Sequence, residues 1–169
     1  DVSTTCQPGA RFGPDRVRSE LGQPDLRVLQ PECGQAHVMP PGVGLVVAPP
    51  DLQPPEGVER DFALRAADGS TTAVIYRVEG VPTPSHPAEA IELDGPLTFL
   101  GYDLPSDHVA PGETFELRTY WRVERVPGRP LSLMAHLIGP EGGAVAVGDG
   151  LGFPLEQWRP GDVIVQRHA

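Results

Sequence analysis

From residue 115 the chain alternates between two kinds of side chain. The odd positions are Phe115, Leu117, Thr119, Trp121 and Val123, and the even positions are Glu116, Arg118, Tyr120, Arg122 and Glu124. Successive side chains on a strand point to opposite faces, so this pattern predicts a strand with one dry face and one charged face. Trp121 then belongs to a core, and Tyr120 is expected to point outward. The preceding Ala110-Pro111-Gly112-Glu113 reads as a turn, since proline presets φ and glycine supplies a positive one. Leu97–Tyr102 is a second β-rich segment. Two half-buried strands require another layer to cover their dry faces.

The same criteria extend along the chain. Residues 88–169 read as all-β, with strands at Ala90–Leu93, Leu97–Tyr102, Thr114–Val123, Leu131–Ile138, Ala144–Val147 and Val163–Arg167. A hairpin turn is expected over Gly139–Gly143. Short strands at this spacing predict an antiparallel β-sandwich. Residues 1–80 read as a small α/β unit. Val2–Thr5 reads as a strand end, Leu26–Leu29 as a strand, and Val43–Ala48 as a near-continuous apolar strand covered on both faces. Phe62–Arg65 and Thr72–Val78 form a hairpin through Asp68-Gly69. A short helix is expected over Gly13–Gly22, with Pro14 in its first turn, Val17 and Leu21 on one face and Gly22 as its stop. The three prolines of Gly80–Pro87 read as a stiff linker. The expectation is therefore a mainly β protein, α+β overall, with a small α/β subdomain over 1–84 and a β-sandwich domain over 85–169.

Composition narrows the partners. The net charge of −10 disfavours nucleic acid, whose binding needs clustered positive charge. No stretch approaches the roughly 18 consecutive apolar residues of a membrane span. No signal peptide is recognisable, and because the chain starts at Asp1 it is expected to be a fragment or a processed form. Gly 20 and Pro 21 fit many short strands joined by many turns.

Candidate chemistry is sparse. The glycines of Gly148–Gly152 are followed by Phe153-Pro154, not by the helix that a dinucleotide fingerprint needs, and read as a turn. None of the 5 histidines has zinc-motif spacing. His136 reads as a strand residue, and Asp103, Asp107 and Asp149 as solvated loop acids. No nucleophile motif occurs. No catalytic residue, cofactor or metal is assigned. The aromatic residues Tyr102, Tyr120 and Trp158 are candidate ligand contacts, since sugar rings stack on exposed aromatic faces; the competing view makes them packing residues. Cys6 and Cys33 are either a disulfide or two free thiols. The disulfide is favoured by their Pro/Gly-rich, loop-like surroundings. It would close a loop of about 28 residues, worth about 3–4 kcal/mol in the chain-entropy model.

Taken as a set, Gly101-Tyr102, Pro111-Gly112, Tyr120-Trp121, His136-Leu137, Asp149-Gly150 and Trp158 with Pro160-Gly161 resemble the extracytoplasmic C-terminal regions of bacterial membrane glycosyltransferases of the protein-mannosyltransferase type. The similarity spans residues 93–168. It implies an accessory module outside the membrane, attached to a parent membrane protein, contacting glycan or protein and carrying no catalytic residue. Such regions continue beyond the Trp-x-Pro-Gly strand, whereas this sequence stops at Ala169, so a smaller sandwich or an open edge is expected. A stand-alone carbohydrate- or small-ligand-binding protein is the alternative, and an enzyme with an unrecognised site is a third.

If Cys6 and Cys33 are joined, a reducing agent lowers the melting temperature. An unchanged melt, or two titratable thiols, removes the bridge.

Overall fold

A computed structural model of the chain describes residues 2–4, 15, 18–19, 21–29, 35–48, 59–81, 83–92, 95–106, 108–110 and 112–169. Cys6 and Cys33 lie outside the described residues, as does most of the expected helix at 13–22. The stop of that helix is described. Gly22 takes φ 63°, its amide donates to the Ser19 carbonyl and the Gln23 amide donates to the Arg18 carbonyl. This is the Schellman pattern that ends a helical turn at a left-handed glycine.

The protein is mainly β. One five-stranded sheet has the order β2-β1-β4-β6-β5, built from β1 (Val2–Thr4), β2 (Val28–Leu29), β4 (Val43–Ala48), β5 (Glu59–Arg65) and β6 (Thr71–Glu79). β1 runs parallel to β2 and β4, while β6 is antiparallel to β4 and β5. The expected hairpin at Asp68-Gly69 joins β5 to β6. Gly69 has φ 84°, and the Ser70 amide donates to the Asp68 carboxylate at 2.9 Å.

The second five-stranded sheet is antiparallel, in the order β3-β12-β9-β8-β7. Its strands are β3 (Ala36–Met39), β7 (His86–Glu92), β8 (Leu97–Asp103), β9 (Leu117–Val123) and β12 (Val163–His168). β3, from the N-terminal stretch, pairs with β12 of the C-terminal one, so the sheet draws strands from both sides of residue 84. Its four residues, closed off by Pro40-Pro41, carry too short a pattern to be read in advance. β7 begins at His86, inside the stretch expected to be a linker. A separate hairpin, β10 (His136–Ile138) with β11 (Ala144–Val147), turns at Gly139–Gly143 as its glycines predict. The strand expected over Leu131–Ile138 is regular only in β10; before it, Leu133 makes a single bridge to Gly150.

The second sheet is buried on both faces. One face meets β6: Val74, Tyr76 and Val78 pack with Met39, Tyr120, Val163 and Val165. Tyr120, expected outside, is therefore buried under the first sheet. The opposite face carries Val38, Leu97, Val123 and Ile164, covered by Leu29, Leu133, Phe153 and Trp158. The excursion from Leu131 to Trp158 thus supplies the layer that β9's odd positions require. Trp158 is 3% exposed and donates its Nε1–H to the Phe153 carbonyl.

A buried ion pair ties this layer to the N-terminal segment. The Arg27 guanidinium grips both carboxylate oxygens of Asp162 at 2.8 and 2.6 Å, and Asp162 also accepts the Arg159 amide. The side chains are 8% and 0% exposed. Removing one partner of such a pair strands the other charge without water. Arg27→Met should therefore lower stability by about 3–5 kcal/mol in urea unfolding. Adding Asp162→Asn, which keeps the acceptor for Arg159, should restore part of the loss. A single variant as stable as the parent would contradict the pair's role.

Candidate functional site

Two irregularities of the strands create a cavity. The first is a bulge in β8. Phe99 lies opposite Trp121, but Gly101 lies opposite Tyr120 and Tyr102 opposite Thr119, so Leu100 is an extra residue. A bulge of this kind reverses the alternation beyond it. Leu100 joins the core beneath the first sheet, and Tyr102 turns to the same face as Phe99. Gly101 makes the bulge possible. It sits at φ 138°, and a Cβ there would come within 2.4 Å of the His86 carbonyl oxygen. The second irregularity is the β10–β11 hairpin, which stands over the outer half of β9 without sealing against it.

The space between them is about 550 Å³. Its floor is the sheet face formed by Phe99, Phe115, Leu117 and Trp121; its roof is Met134, Leu137, Ala146 and Val147. Ile91, Tyr102 and Leu104 form the rim. Phe99 and Trp121 meet at 4.8 Å between centroids with a 50° tilt, a favourable aromatic geometry. Trp121, expected in the core, packs against it, but it is only half-buried and also lines the cavity. The volume and apolar lining are those of a small-molecule site. The hairpin also exposes Ile138 and Val145, at 56% and 67%.

Three polar side chains of the lining are joined by hydrogen bonds. The Trp121 Nε1–H donates to Thr119 Oγ1 at 2.8 Å, and Thr119 Oγ1 lies 2.8 Å from His168 Nε2. His168 Nδ1 is bonded to the Gly148 carbonyl. A carbonyl only accepts, so Nδ1 carries the proton. Nε2 of the neutral ring then accepts the Thr119 hydroxyl proton, and the chain Trp121–Thr119–His168–Gly148 is complete in one direction. At the mouth, His136 Nε2 lies 3.0 Å from Asp149, whose carboxylate also accepts the Ala135 amide. These bonds pin the base of the hairpin to the loop after β11. The two histidines appeared unremarkable in the sequence because their partners are separated from them by folding distance.

The expected contact residues separate. Tyr102 is half-buried at the rim, its ring stacked flat on His86 at 4.7 Å and 3°. Tyr120 and Trp158 are 5% and 3% exposed, and both rings belong to packed cores. Asp103, expected as a solvated loop acid, is instead the half-buried last residue of β8, where it accepts the Ser85 amide at 2.6 Å and the Tyr120 hydroxyl. Asp107 lies outside the described residues. Among the described residues, no cluster of three metal-ligating side chains forms. A second, polar cavity of about 320 Å³ lies beside Arg18, Arg27 and Arg159, with the Arg27 guanidinium engaged by Asp162.

Two carboxylates near the cavity's sheet are held below their ordinary range. Partial burial pushes Asp103 up, but the bonds from Ser85 and Tyr120 and the nearby Arg118 outweigh it. For Glu116, burial is likewise outweighed by Arg118 and Arg167, which lie opposite each other on β9 and β12. Glu116 bonds both, at 2.7 and 2.5 Å, and so relieves a like-charge pair. A depressed carboxylate pKa adds stability above the unfolded value of about 3.9, and that stability is lost as pH falls through the folded value. Tyr120→Phe removes one donor to Asp103 and raises its folded pKa. The variant should lose less stability than the parent between pH 5 and acid, measured by urea unfolding as a function of pH. Superimposable acid limbs would discount the Tyr120 contribution.

No family model matches the chain, and no curated protein or solved structure is significantly similar to it.

Proposed function

We propose that this chain is a non-catalytic binding module of an extracytoplasmic protein, an accessory to a cell-envelope glycosyltransferase, and that the apolar cavity under the β10–β11 hairpin is its contact site. The observation that carries the binding role is the cavity itself: an aromatic floor, an aliphatic roof and an exposed apolar hairpin around about 550 Å³. A binding role, as opposed to proton transfer, is supported by His168, which is bonded at both ring nitrogens. The envelope setting rests on the motif set from Gly101-Tyr102 to Pro160-Gly161.

The lining favours an apolar ligand over a sugar. A sugar needs several donors and acceptors around each stacked ring, and the lining of this cavity is mostly apolar. Glycan contact would fall on the rim at Tyr102, whose ring already has one face against His86. A stand-alone small-ligand-binding protein could use the same cavity. The reading frame upstream of Asp1 separates the two, since hydrophobic spans there fit the accessory module and a plain secretion signal fits the stand-alone protein.

The cavity is tested with Nile red, an uncharged environment-sensitive dye. It should bind saturably with one site per chain. Ala146→Phe, which adds bulk on the exposed hairpin, should weaken it roughly tenfold without changing the melting temperature. Linear, non-saturating uptake by the parent protein would reject the cavity as a site.

A further inference from the structure

Resting on that reading, we propose that the cavity takes one straight aliphatic chain ending in a hydrogen-bond donor, such as a long-chain alcohol, with the donor at the Thr119–His168 pair. Charge is the first argument. Among the described residues lining the cavity there is no Asp, Glu or Arg, although 21% of the chain is charged. A charged group placed against those side chains would lose its hydration, with no Asp, Glu or Arg of the lining to pair with it. The net charge of −10 further disfavours an anionic head at the mouth.

Backbone chemistry supplies the second argument. The floor is the face of a sheet, and the amides and carbonyls of β8 and β9 are already used in its ladders. An extended peptide lying on that face would bury its own amides and carbonyls without partners there. A hydrocarbon chain carries no such groups.

The third argument fixes the polarity of the ligand's end. Thr119 Oγ1 accepts from Trp121 and gives its proton to His168, which leaves one lone pair on the oxygen. An alcohol O–H can donate to that lone pair. A carboxylate or an ether, which only accept, cannot. The ligand class is therefore set by two features no single element contains: a wall without Asp, Glu or Arg shared by β8, β9 and the hairpin, and an acceptor held in place by a directed bond chain.

The test displaces Nile red from the full chain with 1-alkanols from hexanol to dodecanol. Affinity should rise about fourfold per added methylene, the factor equivalent to about 0.8 kcal/mol, and level off once the cavity is full. Dodecanol should bind about fivefold more tightly than its isomer methyl undecyl ether, the value of one neutral hydrogen bond. Thr119→Val should erase that preference and keep the chain-length slope. Dye binding with no displacement by alkanols, a flat chain-length series, equal affinity for alcohol and ether in the parent protein, or displacement by a leucine-rich peptide or an oligosaccharide would overturn the aliphatic alcohol. In each of those outcomes the dye still binds, so the cavity stands as a site. Failure of the dye itself removes the cavity reading first.

Discussion

The structure depends on the burial of one sheet from both sides. β12 shows this most directly: Val163 and Val165 point into the core shared with β6, Ile164 points into the core capped by Phe153 and Trp158, and all three are buried. Neighbouring β9 follows the same division, with Tyr120 on one side and Val123 on the other. A strand with two dry faces fixes its register strongly, since a slip of one residue would exchange every contact on both sides. The Arg27–Asp162 pair adds a directional constraint at the start of β12. It positions the turn that feeds the central strand and joins it to a segment 135 residues away.

The cavity follows from where this double burial is incomplete. Covering the second sheet on its outer face falls to an excursion, residues 131–158, that holds one 3₁₀ turn and a two-stranded hairpin. Its later part drives Phe153 and Trp158 into the core. Its earlier part, the hairpin, stops short of Phe99 and Trp121 and leaves an apolar gap. An isolated two-stranded hairpin is marginal in water. Here its base is fastened by the His136–Asp149 contact and by the Gly148 carbonyl on His168. The bulge at Leu100 then brings Tyr102 to the same gap. A loose layer, a pinned hairpin and a reversed alternation together make a site from residues that have no chemistry in common.

The glycan-platform expectation and the observed site differ for a physical reason. Tyr120 and Trp158 are among the chain's few large aromatics, and with Tyr76 and Phe153 they fill the two cores. Trp158 satisfies its indole N–H on the Phe153 carbonyl, as a buried ring must. Only the ring displaced by the bulge reaches the rim.

Much of the local structure was legible in the residues. The alternation is a strand over Leu117–Val123, shorter at its start than the expected Thr114–Val123, the Asp-Gly and Gly-Pro-Glu-Gly-Gly stretches are turns, and Gly22 terminates a helical turn, because backbone preferences and period-two patterning act over a few residues. The mainly β class follows from the same signals. The tertiary structure alone decided that Tyr120's face is covered by β6, that β3 crosses to pair with β12, and that Leu100 is an extra residue. It also decided that Thr119, Trp121 and His168 meet in the lining of a cavity. Each of these depends on pairing between distant strands, where one inserted residue or one added sheet changes which face is dry, and a pattern read along a single strand carries no record of its neighbours.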